Sequence, residues 1–285
     1  MISMLSYRPT AYFAWSFAAS WVFWVLAAVL SYQPSTGALY TIPLLLGLVA
    51  PCVVALVMTL RGGREMRRET WSRLVDLRRI RLQALLPMAL FMPAVVIVSI
   101  GISVALGGSA EQLRHADGYS FSAGAAPVLL MLLLAAVFEE LGWRTYGVPG
   151  LQQRLGEPRA TLVFGALWSA WHLPLLLIHG YYLQEIAKQS PWFAVNFILG
   201  VIPLAVIISR LCRLNRGSVA VAIGFHFMVN LCQEQFFQMS QTTKCIESVV
   251  LAVIAAGILY ADRRRTTPGE TTAAAPVPAR SGESR

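Results

Sequence analysis

Five side chains able to do chemistry stand where the chain is otherwise apolar. Glu139 and Glu140 directly continue the run APVLLMLLLAAVF and open the string EELGWR. His172 lies in LWSAWHLP, and His226 and Asn230 lie in HFMVN. Ionisable groups in such runs are costly to hold and are functional suspects by default. On a helix, residues four apart share a face, while neighbours diverge by about 100°. Glu140 and Arg144 are four apart, so they can form an ion pair. Glu139 lies about 140° around the helix from Arg144 and aims elsewhere. A carboxylate withdrawn from water and left without a cation suits a general base. His226 and Asn230 share a face and bring hydrogen-bond donors together.

The chemistry this set supports is hydrolysis. A carboxylate and a histidine can activate water, and a second histidine with an amide can stabilise an oxyanion. Glu139, His172 and His226 are also a possible zinc donor set. The sequence holds no HExxH string, so zincin chemistry has no support. Each feature also has a plainer reading. The two acids could mark a membrane edge beside an arginine. His172 could be a core histidine bonded to a carbonyl. His226 and Asn230 could bond across helices as packing glue. Glu234 continues their face but falls nearer the helix end, and His179 reads as interfacial.

These residues need elements to hold them. A membrane helix takes about 20 mostly apolar residues. Eight runs qualify: Ala11–Leu30, Tyr40–Leu60, Leu82–Leu106, Ala123–Trp143, Ala160–Ile178, Trp192–Ser209, Ser218–Leu231 and Ile246–Ala261. The first is too long for a signal-peptide core and lacks an A-x-A site after it, so it reads as an uncleaved helix. Counting from Arg159, His172 lies roughly 20 Å into the fifth run, and counting from Arg216, His226 lies roughly 15 Å into the seventh.

Composition agrees with a membrane protein. The 285 residues are 56% hydrophobic and 13% charged. Soluble domains carry about 25% charge. The net charge of +9 invites a nucleic-acid reading. The placement of the charges excludes it. With the N-terminus inside, 20 of the 23 Lys and Arg residues fall in inner segments. Only Arg114, Lys188 and Lys244 fall in outer ones. That split predicts both termini on the cytoplasmic side. Eight arginines lie between Arg61 and Arg81, with Trp71, Leu74 and Val75 among them. Such a segment can lie on the inner leaflet or be a solvated loop that only sets topology. The segment Thr266–Arg285 reads as disordered. The four cysteines form no CxxC pair, and Cys232 and Cys245 fall near one outer loop, where a disulfide could form.

At these motifs the chain resembles the CAAX protease and bacteriocin-processing family, also called the type II CAAX prenyl endopeptidase or Abi family. That family's pattern is EExxxR, then FxxxH, then HxxxN or HxxxD/B. Glu139, Glu140 and Arg144 match the first motif, His172 the second, and His226 with Asn230 the third. Trp168 stands where the family usually has Phe. The resemblance implies an all-α, multi-pass endopeptidase of the cell membrane, as in a bacterial inner membrane, with its site in the bilayer and open towards the cytoplasm. It implies water activation by Glu139 and His172 and an oxyanion hole of His226 and Asn230, with Glu140, Arg144 and Trp168 in support. A mechanism without cofactor is expected, because Asn230 is a poor zinc ligand; zinc on Glu139, His172 and His226 is the alternative. The expected partners are the lipid bilayer and a peptide or protein substrate, lipidated or with an accessible C-terminal segment. The expected organisation is N-terminal helices with the basic loop over 1–122, a catalytic core over 123–232, an outer loop and last helix over 233–262, and a tail over 263–285. An immunity or peptide-binding protein is the competing reading, and a proton-coupled transporter a weaker one.

Overall fold

The structure is a computed structural model that describes residues 6–114 and 128–266. The expected tail lies outside the described residues from 267 onward, its first four residues continuing the last helix; the start of the fourth apolar run and the segment around Asp117 also lie outside them. The described residues are all-helical. The helices are α1 (Pro9–Ser31), α2 (Thr41–Arg61), α3 (Arg64–Val75), α4 (Leu82–Ala105), α5 (Val128–Gly142), α6 (Val148–Leu155), α7 (Glu157–Trp171), α8 (Tyr182–Gln189), α9 (Pro191–Leu214), α10 (Val219–Leu231) and α11 (Gln241–Thr266).

Six helical segments are long and apolar enough to cross a membrane. The sequence pattern gives eight; of the other two runs, the described residues hold α5 from Val128 onward, and α10 spans 13 residues. The rod of α5 continues into α6 through a π-helical turn, Trp143–Gly147, which carries Arg144. A helix α10 can begin only after the turn at Gly217, whose φ is +75°. The fifth run also breaks early. α7 stops at Trp171 and a 3-10 turn, Leu173–Leu177, follows. Pro174 lacks an N–H and its ring crowds the carbonyl one turn back, which favours a break here, although α2 and α9 continue through Pro51 and Pro203.

Hydrogen bonds define two ends of the bundle. At one end, the Arg8 amide donates to Tyr146 Oη at 3.1 Å, and the Arg81 amide to Asn215 Oδ1 at 2.9 Å. Arg213 there pairs with Glu157 at 3.0 Å and also bonds Asp262. At the other end, the His179 amide donates to Ser31 Oγ at 2.9 Å, and the Ser240 amide to Gln112 Oε1 at 3.0 Å. Arginine crowds the first end, as the charge pattern requires.

Close packing fixes the helix that carries the acids. A Cβ on Gly142 would lie 2.8 Å from the backbone of Pro51, so only glycine lets α5 approach α2 this closely. Pro51 removes the donor that would satisfy the Gly47 carbonyl within α2. Ser20 of α1 donates to that carbonyl instead, at 2.8 Å. Trp24, Trp143 and Trp171 are fully buried together, with ring centroids 4.5 Å apart for Trp24–Trp171 and 5.3 Å for Trp143–Trp171. This cluster ties α1, the π turn and the end of α7 into one block beside His172.

Candidate active site

The helix break at Pro174 puts His172 at the C-terminus of α7 rather than within a helix. Its Nδ1 lies 2.8 Å from the Trp168 carbonyl. A carbonyl only accepts, so Nδ1 carries the hydrogen, and in the neutral ring Nε2 is left as an acceptor. The plainer reading of His172 thus describes half of its environment: one nitrogen is tied to a carbonyl. The residue also lines a cavity.

The two acids divide as their spacing predicts. Glu140 is fully buried, and Arg144 Nε donates to its Oε2 at 2.8 Å. Arg144 is also held by Ser209 Oγ, at 2.8 Å from Nη1, and its guanidinium lies 4.7 Å from the Phe164 ring centre. The second oxygen of Glu140 takes a hydrogen bond from His226 Nδ1 at 3.0 Å. That contact joins α5 to α10, far apart in sequence, and no local spacing could reveal it. Glu139 turns away from this network. Its Oε2 accepts from Trp168 Nε1 at 2.7 Å. Phenylalanine at this position could not make that bond.

Asn230 completes the set. Its Nδ2 donates to the Leu132 carbonyl at 3.1 Å. An amide nitrogen carries two hydrogens, so one is left over. Glu139, His172, His226 and Asn230 all line a single cavity of about 230 Å³. Each is oriented by a bond on its far side. A smaller cavity of about 70 Å³, walled by Trp24, Leu44, Leu48 and Leu175, reaches Glu139 and His172 from the α1–α2 side.

Among the described residues, no group of three His, Cys, Asp or Glu side chains is arranged to hold a metal ion. Both Glu140 oxygens are already occupied, and Glu139, His172 and His226 border the cavity without converging on one point.

The cavity lining continues through Tyr181, Tyr182, Gln233, Gln241 and Lys244, towards the end opposite the arginines. The polar outer wall also escaped the sequence reading. Glu247 is 2% exposed and accepts from Gln233 Nε2 at 2.8 and 2.7 Å. Its signal was a lone acid at the start of the last apolar run. Lys244 Nζ donates to Tyr182 Oη at 3.0 Å. Cys232 and Cys245 are free thiols, and Cys232 is buried.

A helical bundle with membrane-length apolar helices around an internal cavity that holds the motif side chains makes this a multi-pass membrane protein. Residues 121–232, which contain every motif residue named above, match the family model described as type II CAAX prenyl endopeptidase Rce1-like. The chain is also 39% identical to CAAX prenyl protease 2 of Methanococcus maripaludis over 265 residues, covering 93% of this chain and 97% of that protein. The chain belongs to the type II CAAX prenyl endopeptidase family. It is a membrane-embedded protease, a hydrolase.

Proposed function

We propose that the protein is an intramembrane endopeptidase in which Glu139 and His172 activate water and His226 with Asn230 holds the oxyanion. One observation carries this reading. All four side chains border one cavity, and each is anchored behind in a way that leaves an atom of the required kind for the reaction. The second oxygen of Glu139 and Nε2 of His172 are acceptors, able to polarise a water and take its proton. The hydroxide oxygen bonds to the scissile carbonyl carbon, and the carbonyl oxygen becomes an anion. Asn230 keeps one amide hydrogen for that oxygen. His226, protonated on both nitrogens as the imidazolium paired through Nδ1 with the Glu140 carboxylate, offers Nε2–H. The captured proton then passes to the departing nitrogen as the C–N bond breaks. No step requires a metal.

The substrate is proposed to be a peptide segment of a membrane-associated protein. The small apolar cavity beside Glu139 and His172 suits an apolar or lipid chain attached to it. The 20-to-3 distribution of basic residues supports eight crossings with both termini cytoplasmic. The test is cleavage of synthetic peptides, with and without a prenylated cysteine, by purified wild-type protein and Glu139→Gln. Loss of a general base costs about 100- to 10,000-fold in rate. A fully active Glu139→Gln protein would reverse the assignment.

A further inference from the structure

A second concave site lies at the arginine-rich end and takes no part in the proposed chemistry. Its volume is about 390 Å³, and Arg73, Arg79, Arg144, Arg213 and Arg216 line it. Glu69 and Glu157 are the acids in its wall. Glu69 serves Arg73 at 2.9 Å and Arg79 at 3.5 Å, and Glu157 serves Arg213 at 3.0 Å. With Asp262 on Arg213 and Glu140 on Arg144, four carboxylates stand against these five guanidinium groups, and Asp262 is shared with Arg210 as well. Arg144 spends its charge on Glu140 in the interior, yet its Nη2 is buried with no hydrogen-bond partner among the described residues. The Arg216 side chain is exposed and makes no ion pair among them.

The backbone is arranged to put Arg216 there. Its φ is +53°, a left-handed conformation uncommon for a residue with a side chain. Arg79 Nη1 donates to its carbonyl at 2.5 Å, and the Gly217 amide donates to the Cys212 carbonyl at 2.8 Å. These bonds hold the turn open towards Arg73, whose Nε would sit 3.7 Å from a Cβ on Gly217. Guanidinium forks converging on a concavity match the oxygens of a phosphate, which they can bind in bidentate fashion.

The height of the site in the membrane follows from α3, which forms one wall. Met66 and Thr70 of α3 are buried, while Trp71 is 63% exposed, and Leu77 just beyond the helix is 70% exposed. A helix with buried residues on one side and an exposed tryptophan among arginines belongs at the headgroup level. Inner-leaflet lipids supply anionic phosphates at that depth. We propose that this cavity binds a phosphate group carried by an anionic lipid headgroup. The site stands apart from the proteolytic cavity, and the proposal does not depend on the mechanism above.

Binding can be read without any substrate. The purified full chain in neutral detergent is titrated with phosphatidylglycerol, phosphatidylcholine and inorganic phosphate, and bound ligand is counted by native mass spectrometry. The expected result is one retained phosphatidylglycerol and little phosphatidylcholine. Arg216→Ala and Arg73→Ala should each weaken that binding about fivefold, at about 1 kcal/mol per basic residue near anionic lipid. Arg154→Ala, an exposed arginine at the same end outside the cavity, should leave it unchanged. Thermal unfolding of each variant without lipid checks that the fold is retained. Binding of inorganic phosphate alone, sensitive to the same two variants, would keep the phosphate site and overturn the lipid source. Equal retention of both lipids, or equal weakening by Arg154→Ala, would overturn the site.

Discussion

Arg144→Ala should destabilise the protein more than any surface change, and the structure sets the scale. Glu140 is fully buried and its two oxygens have two partners, Arg144 at 2.8 Å and His226 at 3.0 Å. Removing Arg144 leaves a buried carboxylate with only a histidine. It also strips the Ser209 hydroxyl of its 2.8 Å donor and removes the cation facing Phe164. Breaking a buried pair by deleting one partner costs about 3–5 kcal/mol. For a chain of this size, each kcal/mol lowers the melting temperature by roughly 2–4 °C, so a fall of about 10 °C is expected. Tryptophan fluorescence during thermal unfolding in detergent reads this directly. The double variant Glu140→Gln/Arg144→Met removes both charges and should recover part of the loss, because no unpaired charge is then left inside. A melting temperature within about 2 °C of wild type for Arg144→Ala would refute this reasoning. So would a double variant less stable than either single one.

Further outcomes follow from the same geometry. Asn230→Ala should lower kcat about 100- to 1000-fold with little change in KM, since an oxyanion donor acts mainly in the transition state; a change in KM alone would remove Asn230 from that role. Trp168→Phe keeps the ring that stacks on Phe164 at 5.6 Å but deletes the 2.7 Å donor to Glu139. A hydrogen bond to a charged group is worth about 1.5–3 kcal/mol, so kcat should fall at least tenfold, with no further loss in a Glu139→Gln background. An unchanged kcat would show that the indole N–H does not position the carboxylate. In a cysteine-free background, Lys188→Cys should react with an impermeant maleimide on intact cells, and Arg154→Cys only after permeabilisation. The reverse pattern would invert the proposed orientation.

Parts of this site were legible in the chain because they are local. The four-residue spacing of Glu140 and Arg144 anticipates their ion pair, and the different heading of Glu139 follows from the same 100° step. The exclusion of a soluble fold also follows from composition. Other features depend on contacts between distant segments. The Glu140–His226 bond links α5 to α10, and the Trp168–Glu139 bond links α7 to α5. Periodicity within one helix cannot give either. The π turn at Trp143–Gly147 has no simple sequence signature, yet it carries Arg144 within the continuous α5–α6 rod. Pro174 marks where the fifth run breaks beside His172, but Pro51 and Pro203 lie within continuous helices, so a proline alone does not locate a break. The arginine loop reads from sequence as either a surface helix or a solvated segment, and burial of Met66 with exposure of Trp71 on α3 depends on contacts with other helices that periodicity does not give.

The central claim is that Glu139 and His172 activate water without a metal. It is tested most directly by measuring metal content and single-turnover cleavage on one purified preparation, before and after chelation, alongside Glu139→Gln. The wild-type rate should be unchanged by chelator, and Glu139→Gln should be slowed at least about 100-fold at equal folded concentration. One zinc per chain, lost together with activity and restored with it, would contradict the account.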